Sequence, residues 1–303
     1  MLLVSHEAAL EHSLGPGHPE QPARWQAVME ALLPLADSRL EAPVITREAL
    51  LTVHHPAYVD ASLEALAGSQ PFIFDEDTPA QHSQGATLRA AGGALAAVDA
   101  VLDGHAETAF LCMRPPGHHA EPDRAMGFCR FSHAALAARH ALLQHGLASV
   151  AVLDFDVHHG NGTQACLWEE PRVCLVSSHE MPLYPGSGHP QERGAHNQIT
   201  NAPLPPSCDS QTFRRVWDRL WPLVESTQPE LVIVSAGFDA HAADPLATCQ
   251  LNESDYAWLG QEIRALARQS AGGRLVSLLE GGYNIPALAA SARAYVRATK
   301  ADP

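Results

Sequence analysis

The sequence is short of positive charge, of paired cysteines and of long apolar runs, and each shortage narrows what the chain can be. Its 303 residues carry 19 Lys and Arg against 34 Asp and Glu, a formal net charge of −15 with histidines neutral. Such a chain repels phosphate backbones and attracts cations, so direct nucleic-acid binding is disfavoured and a cationic substrate is permitted. The six cysteines, Cys112, Cys129, Cys166, Cys174, Cys208 and Cys249, are scattered without a C-x-x-C pair. That argues against a zinc ribbon, a thioredoxin-type site or a disulfide framework and leaves reduced core thiols. No stretch approaches the ~20 apolar residues of a membrane span, and Met1-Leu2-Leu3-Val4 lacks the length and basic flank of a signal peptide. A cytoplasmic protein that does not engage a membrane is the expectation.

What is present is a repeating unit. With 46% hydrophobic and 17% charged residues, a chain of this length buries a large core. Short apolar runs at Ala109–Met113, Val150–Leu153, Val173–Val176, Leu231–Val234 and Leu275–Leu279 alternate with helical patterns at Ala134–Leu143, Thr212–Val224, Tyr256–Ala267 and Ala287–Val296. Upstream, Leu2–Ser5 reads as a strand, Pro22 opens a helix, Thr46 caps Arg47–Val53, Pro56 restarts a helix, and Ala-rich Leu88–Leu102 ends at Gly104. Strands alternating with helices imply βαβ units: an α/β fold with a central parallel sheet covered by helices on both faces. No composition shift divides the chain, so one domain over residues 1–303 is expected.

In open parallel sheets ligands bind beyond the carboxyl ends of the strands, and that is where the polar residues collect. The loops Arg114-Pro115-Pro116-Gly117-His118-His119, Asp154-Phe155-Asp156-Val157-His158-His159-Gly160-Asn161, Ser177-Ser178-His179, Ser235-Ala236-Gly237-Phe238-Asp239 and Glu280-Gly281-Gly282-Tyr283-Asn284 each follow an apolar run. Asp156 and His158, one residue apart in extended backbone, face the same way. With Asp239 they supply the three ligands of a mononuclear site that keeps a position open for water. Zinc, iron and manganese all suit that donor set. His118 and His119 sit on a proline-stiffened turn and suit general acid and base work, with Asp154 and Asn161 as groups that orient their rings. Tyr283, after Gly281-Gly282, suits hydrogen-bond donation to a developing oxyanion.

These motifs, together with His18-Pro19-Glu20-Gln21-Pro22-Ala23-Arg24, Gly127-Phe128-Cys129 and Tyr184-Pro185-Gly186-Ser187-Gly188, resemble the histone deacetylase and acetylpolyamine amidohydrolase family over nearly the whole chain. The resemblance implies a single arginase/deacetylase-type α/β domain and a zinc-dependent amidohydrolase that removes acetyl or other acyl groups from lysine side chains or similar amines. In that reading Asp156, His158 and Asp239 hold one zinc ion. Tyr283 is the oxyanion donor, His119 the general base and acid, and His118, backed by Asp154, its electrostatic partner. Gly127, Phe128 and Tyr184 wall an acyl-lysine tunnel, with Gly282 and Leu246 facing substrate and Asp77 at the rim. Arg24 lines an internal channel for acetate. A structural monovalent cation, potassium, is implied near Asp154, Asp156, His158 and Ser177.

Two positions depart from family patterns. Asn161 stands where one branch carries aspartate, which resembles the class II branch and leaves His119 without a carboxylate partner. Gly160 and His241 match positions where the two-manganese arginase relatives carry aspartates, so a one-metal site is expected. Leu246 matches a glutamate of the polyamine-selective branch, and so favours acyl-lysine over acetylpolyamine. An acetylpolyamine amidohydrolase is the alternative expectation; a catalytically idle acyl-lysine binder ranks below it, opposed by the presence of Tyr283. Partners beyond an acylated peptide or small acylated amine, and the oligomeric state, stay open.

Overall fold

A computed structural model describes residues 1–68 and 83–300. Among them eight strands form one sheet: β1 (Leu2–Ser5), β2 (Ser38–Glu41), β3 (Thr108–Cys112), β4 (Val150–Asp154), β5 (Val173–Glu180), β6 (Ile199–Leu204), β7 (Leu231–Ala236) and β8 (Leu275–Leu279). The spatial order is β2-β1-β3-β8-β7-β4-β5-β6, and every pairing is parallel. The helices are α1 (Pro22–Leu32), α2 (Arg47–Leu50), α3 (Pro56–Leu66), α4 (Gln84–Leu102), α5 (His133–Gln144), α6 (Asn161–Cys166), α7 (Ser210–Ser226), α8 (Glu253–Ser270) and α9 (Ile285–Lys300). This is the α/β architecture expected from the alternating pattern.

The strands read as continuous apolar runs because both faces are covered, yet the period of two still sorts their side chains. Leu3, Phe110, Cys112, Ala151, Leu153, Val232, Val234, Leu275 and Leu279 join the core under α1, α7, α8 and α9. Their neighbours Leu2, Val4, Ala109, Leu111, Val150, Val152, Leu231, Ile233, Val276 and Leu278 join the core under α4 and α5. Local chemistry sets several helix starts. Thr46 Oγ1 accepts from Ala49 N at 3.2 Å, Asp209 caps Thr212 N at 2.8 Å, and Asn252 with Asp255 forms a reciprocal capping box on α8; each satisfies N–H groups the first turn leaves without partners.

Two strands escape the apolar-run criterion. β2 is Ser-Arg-Leu-Glu and exposed throughout; β6 carries Asn201 and Pro203. Both are edge strands, where polar residues and a missing N–H are tolerated. One expectation is corrected: α4 is long and apolar enough to cross a membrane, with mean hydropathy 1.2 over an 18-residue window. Of that window 67% is buried in the protein, against β1, β3 and α5. It is a core helix whose apolarity comes from the small side chains that let it lie close to its neighbours.

That close approach is testable at two glycines of one helix. A Cβ on Gly92 would lie 2.1 Å from Pro43 O and 2.7 Å from Ile45 N, whereas one on Gly85 meets nothing nearer than Ala8 Cβ at 3.4 Å. Gly92→Ala is expected to destabilise the fold by about 1–3 kcal/mol through overpacking. Gly85→Ala should be neutral or stabilise by up to about 1 kcal/mol through helix propensity. Urea unfolding midpoints of the two variants check the opposed signs.

Candidate active site

The chain runs from β3 to β4 without laying them side by side; β7 and β8 later fill the gap between them. The reversal of strand order puts a crevice above β3, β8, β7 and β4, the place where parallel sheets bind ligands. Four of the five polar segments named above lead out of these strands; the fifth, Ser177-Ser178-His179, expected as a loop, instead lies within neighbouring β5, which runs on to Glu180 because β6 pairs with it that far.

At the centre His158 Nδ1 lies 3.2 Å from Asp156 Oδ1 and 3.1 Å from Asp239 Oδ2, with all three residues buried. A four-coordinate ion bonding at 2.0–2.1 Å spaces its ligand atoms roughly 3.3 Å apart, so the trio has the spacing of a metal site. Backbone donors fix the carboxylates from behind. Gly281 N reaches Asp156 Oδ2 at 2.8 Å, His158 N reaches Asp156 Oδ1 at 2.9 Å, and Val157 N reaches Asp239 Oδ1 at 2.9 Å. Gly281 is obligatory there, since a Cβ would sit 2.0 Å from Asp239 Oδ2. A second three-residue group, Asp99, His140 and His145, is different in kind. Its two Nε2 atoms lie 2.6 and 2.7 Å from one Asp99 oxygen, which is hydrogen-bond spacing, and all three residues are partly exposed.

The electrostatics of the central trio call for a cation. Burial pushes Asp239 up and the Asp156 charge adds to it, to about 7. Asp156 stays well below the usual carboxylate range because His118 and His158 outweigh its burial. His158, held between two carboxylates despite burial, rises to about 10. Near neutral pH the trio therefore holds protons that a divalent ion would displace. Gly160 and His241 add no ligand: His241 Nδ1 accepts from Ala243 N at 3.0 Å, and its Nε2 lies 3.7 Å from Glu253.

Beside the trio the rings of His118 and His119 lie 4.0 Å apart in contrasting surroundings. His118 Nδ1 is 3.1 Å from Asp154 Oδ2. Burial disfavours its charged form, but the Asp156 and Asp154 carboxylates prevail and hold it well above its ordinary value. His119 Nδ1 is 2.8 Å from Asn161 Oδ1. Burial, reinforced by His118 and His158, pushes it well below its ordinary value. One imidazole is thus kept charged and the other neutral, a pairing that suits acid and base roles. Asn161 is the direct partner of His119, as the sequence indicated, but a carboxylate stands one step behind it: Asn161 Nδ2 donates to Glu121 Oε1 at 2.7 Å.

Tyr283 is close enough to Asp239 and Asp156 for their charges to act on it. Burial first, then those carboxylates, hold its hydroxyl well above the usual phenol range although Arg24 pulls the other way, so it remains a donor at any ordinary pH. The Arg24 guanidinium lies 4.9 Å over its ring, donates to Gly282 O at 2.6 Å and to Glu280 O, and pairs with Glu20 at 3.1 Å. Arg24, expected to line a channel, is fully buried and holds the backbone on either side of Gly281. Two aromatic rings stand beside these groups. Phe128, at φ 66°, puts its ring 6.1 Å from Tyr283 and 4.8 Å from His18. Tyr184, 45% exposed, lies 5.2 Å from His119.

The remaining expected positions are placed as follows. β4–β5 pairing sets Asp154 beside Ser177, whose Oγ lies 2.9 Å from His179 Nδ1. Leu246 N donates to Asp244 Oδ1 at 3.0 Å, so Leu246 belongs to the turn that carries Asp244. Asp77 lies outside the described residues. Besides Glu121, three site residues were not singled out from the sequence. Glu280 Oε2 accepts from Gly117 N at 2.7 Å and His118 N at 3.2 Å; Asp244 Oδ2 accepts from Tyr283 N at 2.7 Å; Glu20 joins Arg24 to Arg114. Each is a buried acid within or beside a quoted motif, and that adjacency was the available signal.

Comparison with known proteins shows the family. The histone deacetylase domain family matches residues 18–299. The histone deacetylase-like amidohydrolase of Pseudomonas aeruginosa is 39% identical over 88% of this chain and 73% of its own. Histone deacetylase 14, chloroplastic, of Arabidopsis thaliana is 36% identical over 96% of this chain and 74% of its own. The crystal structure of the HDA15 HD domain superposes with a TM-score of 0.88 at 32% identity, over 98% of this chain and 87% of that one. On its motifs, its fold and the matched family domain, the chain belongs to the histone deacetylase family.

Proposed function

We propose that the protein is a zinc-dependent amidohydrolase that removes acetyl or related acyl groups from amines, with acyl-lysine in a peptide as the favoured substrate class. The observation that carries this reading is the convergence of the Asp156–His158–Asp239 trio, the charged and neutral histidines and the Tyr283 phenol in one buried crevice. A divalent ion bound by the trio supplies Lewis acidity toward the acyl oxygen and lowers the pKa of the attacking water. The chain's own groups do the rest. His119, neutral and with Nδ1 engaged by Asn161, takes the water proton at Nε2 and later gives it to the leaving amine. His118 stays cationic against Asp154 and steadies the negative charge that develops. The Tyr283 hydroxyl donates to the oxyanion of the tetrahedral intermediate, and Phe128 and Tyr184 flank the aliphatic part of the acylated side chain. Asp154 and Ser177, side by side on β4 and β5, are part of the proposed potassium site with Asp156 and His158. Six free thiols suit a reducing compartment such as the cytoplasm.

Asp239→Ala is expected to lower metal content and activity together while leaving the fold largely intact, as read by elemental analysis and circular dichroism; full occupancy in that variant removes Asp239 from the ligand set. Because the trio is protonated in the metal-free protein, uptake should release acid, and apparent zinc affinity should fall as pH drops from 8 to 6. Calorimetry in buffers of different ionisation heat measures this. Tyr283→Phe should reduce kcat by about 10²–10³ with KM little changed, the loss typical of one oxyanion donor.

Substrate preference turns on Leu246, which cannot pair with the second ammonium of a polyamine. A charge pair of that kind contributes about 1.5–3 kcal/mol. An acetyl-lysine peptide should therefore exceed acetylspermidine in kcat/KM by about ten- to a hundredfold, and Leu246→Glu should narrow that ratio. A polyamine preferred tenfold by the native protein would overturn the assignment of Leu246.

A further inference from the structure

We infer that Glu121 is a positioning residue for His119: it fixes which way the Asn161 amide faces and so which ring nitrogen of His119 carries the proton. The inference rests on the proposed role of His119 as general base and extends it to a residue outside the motifs' assigned set.

The two ends of an asparagine amide are nearly the same size, so only the surroundings decide their order. Asn161 is buried at the start of α6, with one end of its amide 2.8 Å from His119 Nδ1. The other end meets Glu121 Oε1 at 2.7 Å, Met126 Sδ at 3.2 Å and His119 O at 3.4 Å. A carboxylate can only accept, so the end facing Glu121 must be the NH₂ group. The oxygen is thereby turned to His119, Nδ1 must be its protonated nitrogen, and Nε2 keeps the lone pair that a base needs. Thioether sulfur and a carbonyl at 3.4 Å are weak acceptors, so they cannot hold this order alone. Were the amide reversed, its NH₂ would face Nδ1, the ring proton would move to Nε2, and His119 could not accept a proton there.

Glu121 is itself held in place. Its N–H donates to Arg124 O at 2.9 Å, its carbonyl lies 3.1 Å from His54 Nδ1, and Arg124 Nη2 reaches its outer oxygen at 3.2 Å. Arg124 thus offsets the charge while the inner oxygen stays on Asn161. The arrangement also gives a reason for asparagine at position 161, because an aspartate there would set two carboxylates about a hydrogen-bond length apart.

The test uses the full-length, metal-loaded protein with an acetyl-lysine peptide. Glu121→Leu, which removes the acceptor, should lower kcat by about ten- to a hundredfold, the loss usual for a partner that orients a histidine, with KM, metal content and melting temperature unchanged. Glu121→Gln, which can still present a carbonyl to Asn161, should recover most of it. In an Asn161→Asp background the effect should change sign: the new aspartate orients His119 unaided, and removing Glu121 relieves repulsion, so Glu121→Leu should raise kcat. Long-range proton–nitrogen NMR of the His119 ring should show the proton on Nδ1 in the native protein and a mixture of tautomers in Glu121→Leu, whether or not the peptide is a good substrate. Unchanged kcat in Glu121→Leu, or an equal loss in both backgrounds, would overturn the inference. A native protein that turns over no acylated amine but keeps the Nδ1–H tautomer would refute the proposed function and leave the orienting role of Glu121 standing.

Discussion

The site depends on keeping two carboxylates, Asp156 and Asp239, buried on either side of one imidazole. Isolated in a protein interior such groups would neutralise rather than stay charged. Here three backbone N–H groups from two different loops point at their oxygens, and those loops are ends of strands locked into one sheet. Rigidity is what the arrangement requires, because a carboxylate free to turn away would find water instead of its neighbour. The continuous apolar strands and the two cores that cover them supply that rigidity, and the glycine at position 281 allows the last loop to close against both acids.

Around this centre the charges are graded by what stands behind each ring. His118 has a carboxylate in contact and the Asp156 charge nearby, whereas His119 has an amide and lies buried beside the His118 and His158 charges, and these contrasting surroundings favour the charged form of one ring and the neutral form of the other 4.0 Å away. Tyr283 is placed by contacts to parts of the molecule far from it in sequence: Arg24 over its ring and Asp244 under its backbone. The acids that hold these positions, Glu20, Asp244 and Glu280, spend their hydrogen-bonding capacity on main-chain donors and arginines inside the protein.

How much of this could be read from the sequence follows from the physics of each element. The central strands are legible because burial on both faces makes them mostly apolar, with Ser277 the one polar residue inside β8, and the functional residues cluster at or just beyond the carboxyl ends of the apolar runs. Asp156, His158, Asp239, His118, His119 and Tyr283 all share that signature. β2 and β6 lack it, since edge strands can be polar and can hold a proline, so periodicity has nothing to register. The supporting acids escape for another reason. Glu280 acts on a loop 162 residues away in sequence and Glu121 on a residue 40 away, and no local pattern encodes a partner supplied by the fold. The near-membrane composition of α4 shows the converse case, where apolarity that looks local is a demand of close helix-to-sheet packing.

The strand order has a consequence for how the polypeptide comes into being. β3 and β4 are consecutive in the chain, yet in the finished sheet they are separated by β7 and β8, which are made last. A nascent chain that has emerged as far as β6 possesses both outer portions of the sheet and an empty slot between them, two strands wide and bordered by unpaired apolar edges. Such edges are the sites at which incomplete chains pair with one another. The crevice above β3, β8, β7 and β4 is completed only when the last two strands are in place, and ribosomes crowded on one message would hold many copies of that open slot side by side until those strands slide in.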